Sequence, residues 1–169
     1  MIVADTARLR LRTAVPGDAA FYLALVNDPG FIEHIGDRGI RNLADAARAL
    51  VDGPGAMQRA RGHSLYVVEL KDNDEAVGMC GLIKRDTLDG IDLGYAFLEA
   101  WRGRGFAYES ACAVLQHARE LGMTRLLAIT TPGNLASNCL LRKLGFGFER
   151  VMRLDAGDAG TNLYSIGIG

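Results

Sequence analysis

The chain has 169 residues, with 19 Lys+Arg against 20 Asp+Glu. At a typical ~150 residues per domain this is one domain with room for a core, and 49% hydrophobic with 23% charged residues excludes a disordered tail. A net charge of −1 argues against non-specific nucleic-acid binding, which rests on unbalanced Lys and Arg, and no apolar run approaches the ~18 residues of a membrane span.

Leu9 and Leu11 alternate with Arg8, Arg10 and Arg12, the period of a half-buried strand. Pro16-Gly17-Asp18 punctuates, and Asp18 is placed to cap a helix running to about Asn27, where Asn27-Asp28-Pro29-Gly30 is a stop. From Phe31 to Arg61 the pattern is helical but interrupted by Gly36, Gly39, Gly53-Pro54-Gly55 and Gly62, with Ala44, Ala47, Leu50 and Val51 on one face. Ser64–Leu70 and Ala76–Ile83 read as a hairpin around Lys71-Asp72-Asn73-Asp74, and Ile91–Leu98 follows the Asp89-Gly90 turn. Phe106 to about Leu121 carries a helical stripe of Ala107, Ala111, Val114, Leu115 and Ala118, closed by Gly122. Arg125–Thr130 is nearly continuously apolar, as a strand covered on both faces is. After Thr131-Pro132-Gly133, Asn134–Leu144 reads as a helix with Ala136, Leu140 and Leu144 in register, stopped by Gly145. Phe146–Leu154 and Asn162–Ile168 are two closing strands. The order β-α-α-β-β-β-α-β-α-β-β, uninterrupted by repeats or linkers, predicts one α+β domain over residues 1–169, built on a mixed sheet.

Cys80, Cys112 and Cys139 are odd in number, form no C-x-x-C and sit among apolar residues, so small buried hydrophobes are expected. His34, His63 and His117 lack ligand spacing, and no metal is expected. Met1–Arg12 has three arginines and no long apolar stretch, unlike a signal peptide. A reducing, cytoplasmic location is the expectation, with no membrane partner.

Trp101-Arg102-Gly103-Arg104-Gly105-Phe106-Ala107 lies between a strand and a helix, so its amides are the orphan donors of a helix N-terminus. Two glycines allow close backbone approach and two arginines add positive charge, which suits a pyrophosphate; the plainer alternative is a turn that only reverses the chain. Walker A is absent, and the dinucleotide fingerprint fails at Tyr108 and lacks its acidic residue after Arg125–Thr130.

Arg102-Gly103-Arg104-Gly105-Phe106-Ala107 resembles the Q/R-x-x-G-x-G/A motif of the GNAT N-acetyltransferase superfamily. Extended to Ala111, the string is similar to the G-K-G-Y-A-T-E-A form of its RimJ/RimL-like branch. Thr6–Arg12 with Asp18 and Asn27-Asp28-Pro29, then Asp92-Leu93-Gly94-Tyr95, then Asn134-x-x-Ser137 with Lys143-Leu144-Gly145-Phe146, resemble that branch in order and spacing. The likeness spans nearly the whole chain.

The resemblance implies a mixed, mostly antiparallel sheet of six to seven strands flanked by about four helices. It further implies acetyl-CoA as co-substrate in a V-shaped gap between Ile91–Leu98 and Arg125–Thr130. The amides of Arg102, Gly103, Arg104, Gly105, Phe106 and Ala107 would hold the pyrophosphate, Phe97 and Leu98 would pair with the pantetheine arm, and Asn134 and Ser137 would line the cofactor further along. Asn134 is equally a helix N-cap after Pro132-Gly133, and Ser137 equally a capping or solvent-facing residue. The acceptor would be a primary amine, on a protein N-terminus or a small molecule. Transfer needs a neutral amine, a polarised carbonyl and a proton or donor for the leaving thiolate. Asp92 stands where related enzymes carry a glutamate and is the candidate proton acceptor, or else a solvated strand-end carboxylate; near 3.9, an ordinary carboxyl is a poor base unless burial raises it. The Leu98 N–H is the candidate oxyanion donor. Many members place a tyrosine seven residues after the asparagine; here Leu141 stands there and cannot donate, which leaves Ser137, water, Tyr108 or Tyr164. Trp101 and Phe106 are expected to pack, and Arg38, Arg41, Arg48, Arg59 and Arg61 to be solvated. Phe31–Gly62 and Met152–Thr161 would shape the acceptor site. The chain would be a monomer or homodimer, and a non-catalytic acyl-CoA-binding or sensor module is the alternative.

Overall fold

Alternating apolar residues set the sheet. In the computed structural model, which describes residues 1–169, eight strands lie in the order β1-β2-β3-β4-β5-β6-β8-β7. They are β1 Ile2–Asp5, β2 Leu9–Thr13, β3 Leu65–Leu70, β4 Ala76–Lys84, β5 Ile91–Phe97, β6 Arg125–Thr130, β7 Gly147–Met152 and β8 Thr161–Gly167. Every neighbouring pair is antiparallel except β5 with β6. The expected six to seven strands become eight because β1 is four residues of unalternating sequence; only its pairing with β2 makes it a strand.

The helices are α1 Ala19–Val26, α2 Pro29–His34, α3 Leu43–Leu50, α4 Ala56–Arg61, α5 Phe106–Glu120 and α6 Leu135–Leu144. The expected break at Gly53-Pro54-Gly55 is instead a π turn, Val51–Gly55, that joins α3 to α4. A wider turn tolerates the N–H that Pro54 lacks, and this segment accounts for more helix than the four elements expected. Its buried face is Ala46 and Leu50, whereas Ala44 and Val51 are exposed, so the face read from the sequence is turned.

The period of two divides the core. Tyr66 and Val68 of β3, Cys80 and Leu82 of β4 and Leu93 of β5 face Ala111, Val114, Leu115 and Ala118 of α5. Val67 and Met79 point the other way, onto Leu25, Val26 and Phe31 of α1 and α2. Leu126 and Ala128 of β6 join the first cluster and Leu127 packs with Leu88 and Leu163, so β6 is covered on both faces as its composition requires. Gly122 (φ +83°) and Gly145 (φ +101°) end α5 and α6 in the left-handed region. Phe146 donates its N–H to the Leu141 carbonyl at 2.9 Å and buries its ring, so it terminates α6 rather than opening β7. Of the three cysteines only Cys80 is buried; Cys112 and Cys139 lie on the outer faces of α5 and α6, against expectation. The inner face of α6 is Asn138 and Leu141, while Ala136 is exposed. No helix is long and apolar enough to cross a membrane.

Candidate active site

β5 and β6 run parallel and share one pair, Asp92 with Leu127. Beyond it β5 stays on β4 as far as Phe97, and β6 stays on β8 as far as Thr130, so the two strands part and a gap opens between them. The Leu98 N–H donates to the Val77 carbonyl at 3.0 Å. Alternation along an antiparallel ladder then turns the N–H and C=O groups of Ala96 and Gly94 toward β4 and those of Phe97 and Tyr95 into the gap. Leu98 is therefore spent as a donor, and the expectation that its N–H meets an oxyanion is corrected: the free strand donors are at Tyr95 and Phe97.

The gap leads to a donor-rich turn. After the short turn Glu99–Trp101, Gly103 (φ +72°) and Gly105 (φ +82°) take conformations that side chains resist. Gly105 is the N-cap of α5 and no side chain caps that helix, so the amides of Phe106, Ala107 and Tyr108 have no intrahelical partner. This end of the 15-residue helix carries the positive end of its dipole.

The two arginines divide. Arg102 turns inward: its Nε donates to the Phe97 carbonyl at 3.0 Å and its Nη2 pairs closely with Asp28. Arg104 lies over the Trp101 ring at 4.8 Å, and its carbonyl accepts from Arg8 at 3.0 Å. Arg102 thus anchors the turn with its charge met by Asp28, while Arg104, with no carboxylate partner, adds its charge to that of the amides. Phe106 is buried beneath Arg8, 4.5 Å from its ring centre, and Trp101 is half-buried beside it, so both pack as expected.

Asp28 is a junction that the sequence reading took for a stop. It caps α2 by accepting from the amides of Gly30 (2.9 Å) and Phe31 (3.3 Å), accepts from Glu99 N–H (3.2 Å), and pairs with Arg102. Burial alone would raise its carboxyl, but Arg102 and these amides hold it below the ordinary value. Asp followed by Pro is also a helix-start signature, which could have revealed the cap. Glu109 braces the other side, accepting from Thr6 Oγ1 (2.6 Å), Arg8 N–H (2.9 Å) and Arg8 Nε (2.7 Å). A cavity of 640 Å³ lies against this first turn, lined among others by Gly105, Tyr108, Cys112 and Lys143. The Lys143 ammonium sits 4.2 Å from the Tyr108 ring centre there.

Across the gap, Asn134 caps α6 by accepting from Ser137 N–H at 3.2 Å. Ser137 Oγ lies 2.5 Å from the Tyr95 hydroxyl, which comes from β5. Tyr95 was not singled out from the sequence as a donor. Tyr164 is removed from the list of donors: it is fully buried and gives its proton to Asn138 Oδ1 at 3.0 Å, in a network with Thr130 and Asn162. Leu141 is core.

Asp92 is fully buried at the closed end of the gap. Arg85 Nε stands 3.2 Å and 3.3 Å from its two oxygens, so the solvated strand-end reading is wrong. Burial pushes its carboxyl above the ordinary value despite Arg85. On the α1–α2 side, His34 Nδ1 meets Thr131 Oγ1 at 3.3 Å, linking α2 to the end of β6. Arg41 and Arg48 are paired with Asp37 and Asp45 on the surface, which accounts for part of the basic bias.

Residues 8–147 match the acetyltransferase (GNAT) domain family. The chain is 29% identical over 171 residues to the uncharacterized N-acetyltransferase YoaA of Bacillus subtilis, covering 97% of this chain and 96% of that one. In fold it is similar to the ribosomal L7/L12 alpha-N-protein acetyltransferase RimL in complex with coenzyme A, with TM-score 0.84, 20% identity and coverage of 98% and 97%. It is also similar to the Microcin C7 self immunity acetyltransferase MccE in complex with acetyl-CoA and AMP, with TM-score 0.81, 17% identity and coverage of 96% and 93%.

Proposed function

The chain belongs to the GNAT acetyltransferase family, and from that premise we propose that it moves an acetyl group from acetyl-CoA to a primary amine by direct attack in a ternary complex. The observation that carries this reading is the parting of β5 from β6 immediately before an uncapped helix N-terminus. Free strand amides at Tyr95 and Phe97 suit an extended amide-bearing arm. The turn Arg102–Ala107 suits a pyrophosphate, since its glycines let the backbone approach and the amides from Gly103 to Ala107 lack other partners, whereas the Arg102 amide is spent on the Glu99 carbonyl at 3.2 Å. The 640 Å³ cavity beside Lys143 gives a nucleotide room where it would leave the turn.

Acetyl-CoA supplies an activated carbonyl and a thiolate leaving group. This chain's residues orient the carbonyl against strand amides, accept the amine's proton and meet the thiolate. Asp92, raised by burial, serves as the proton acceptor through water, because its place at the closed end keeps it from the open gap. Asn134 orients the first turn of α6, and Ser137 faces the thiolate. The amine enters from the α1–α2 side, where Phe31–Gly62 shapes its site. RimL acts on a protein α-amine by its name, and the shared fold makes that class of acceptor the first to try, ahead of small amines.

Calorimetric titration with acetyl-CoA, desulfo-CoA, NAD and ATP tests the reading, followed by thiol release against N-terminal peptides and small amines. Binding of the CoA compounds alone, with amine-dependent thiol release, is expected. Preference for NAD or ATP, or CoA binding without amine-dependent release, would overturn it.

A further inference from the structure

The one side-chain bond from β5 to the first turn of α6 across the gap is Tyr95 to Ser137. The two residues are 42 positions apart, and beyond Asp92 and Leu127 the backbone supplies no bridge between these strands. The phenol oxygen is 2.5 Å from Ser137 Oγ and 3.5 Å from the Ser137 carbonyl. A carbonyl only accepts, and a phenol has one hydrogen to give. The phenol can give that hydrogen to the Ser137 carbonyl or to Oγ; given to Oγ, much the nearer of the two, it leaves the Ser137 hydroxyl hydrogen to turn into the gap. The Ser137 N–H is already given to Asn134, so the residue is fixed on its backbone side as well.

We infer that Tyr95 is a positioning residue that orients the Ser137 hydroxyl as the donor to the leaving thiolate. The inference rests on the acetyltransferase reading and adds a residue to it. When the amine nitrogen bonds to the carbonyl carbon and the C–S bond breaks, the electron pair stays on sulfur. Ser137 Oγ–H donates toward that sulfur while its oxygen accepts from Tyr95. The sulfur's proton then comes through this pair from solvent, and the amine's proton leaves by the other side, so one proton is lost and one gained. Burial, with the Ser137 bond opposing it, pushes the phenol up to about 12, so Tyr95 keeps its hydrogen throughout the working range.

The test uses CoA against desulfo-CoA, which lacks the sulfur, titrated into wild type, Tyr95→Phe, Ser137→Ala and the double variant at rising pH. Desulfo-CoA reports fold and site integrity, and each protein's CoA affinity is read as a ratio to its own desulfo-CoA affinity. Above the thiol's pKa, about 8.5 for a cysteine-like thiol, wild type should prefer CoA, and that preference should fall on the order of tenfold in either single variant. The double variant should lose no more than Ser137→Ala alone, because Tyr95 acts through Ser137. In turnover, Tyr95→Phe should lower kcat with KM for acetyl-CoA nearly kept. A full CoA preference in Tyr95→Phe, or losses that multiply in the double variant, would overturn the inference alone. A wild type that binds desulfo-CoA but shows no thiolate preference would do the same, whereas failure of wild type to bind either compound would remove the acetyltransferase reading and this one with it.

Discussion

Asp92 is fully buried with Arg85 against it and Lys84 nearby, and the balance between burial and these charges can be measured. Burial disfavours its carboxylate, and the charge and hydrogen bond of Arg85 recover only part of that cost, so the folded carboxyl titrates above its ordinary 3.8. The unfolded chain therefore releases this proton at lower pH than the folded chain. Between the two values the native state binds more protons, and stability falls as pH rises, levelling off above the folded value. The stability of wild type relative to Asp92→Asn should accordingly decline as pH climbs from about 3 through the acid range and then stay flat. Urea midpoints at matched pH would show it; a difference that grows with pH would mean that Arg85 outweighs burial. Asp92→Asn should also lower turnover with acetyl-CoA affinity nearly kept if the carboxyl accepts the amine's proton. The carboxylate was visible in the sequence because it lies in the D-L-G-Y string. Its partner was not: the Asp89-Gly90 turn marks a reversal of the chain, but nothing in local spacing says that it lays Arg85 against Asp92.

At the scale of elements, the glycine-rich turn is held by α2 rather than by its own sequence. Asp28 ties the start of α2 to Glu99 and Arg102, and Gly30 makes room for the guanidinium. A Cβ at Gly30 would stand 2.8 Å from Arg102 Nη1 and 3.1 Å from Cζ, so Gly30→Ala must displace Arg102. The backbone at Gly30 is ordinary helix, and alanine favours it by roughly 0.5–1 kcal/mol, which opposes the lost pairing. Acetyl-CoA affinity should weaken on the order of tenfold, as loss of a hydrogen bond to a charged group entails, while Tm changes little. Calorimetry and a thermal melt on the same preparation separate these, and unchanged affinity would mean that the turn holds its shape without its tether. The limits of α5 and β6 were legible because their signals are local: a stripe at helical spacing, a glycine at positive φ, an apolar run. The tether joins residues 74 apart, and the π turn depends on how Pro54 is accommodated, so neither leaves a mark within one window of sequence.

For the whole molecule, the sheet is continuous except where β5 leaves β6, and that defect is the site. Seven of the eight strands were readable from alternation and turns. The parting was not: β6 looks like any strand covered on both faces, and only the resemblance in the motifs predicted a gap beside it. Ser137 was a candidate from its motif, but its contact with Tyr95 stayed hidden for the same reason, because their meeting is created by the parting itself. A sheet with an open seam holds unpaired amides toward solvent, and a ligand that fills it replaces missing strand contacts on both sides. Binding to the native state alone stabilises it by mass action, about 2.7 kcal/mol at a hundredfold excess over Kd. For a chain of this length about 1 kcal/mol moves Tm by roughly 2–4 °C, so saturating acetyl-CoA should raise Tm by about 5–10 °C, whereas NAD and ATP should not. Hydrogen exchange locates the effect. Protection should rise at Tyr95 and Phe97 and in the first turn of α5, and stay unchanged in β1 to β3, which lie on the far side of β4. A rise in Tm with protection spread evenly over the sheet would place the ligand elsewhere, since only a ligand seated in the seam orders both of its edges and leaves the outer strands as they were.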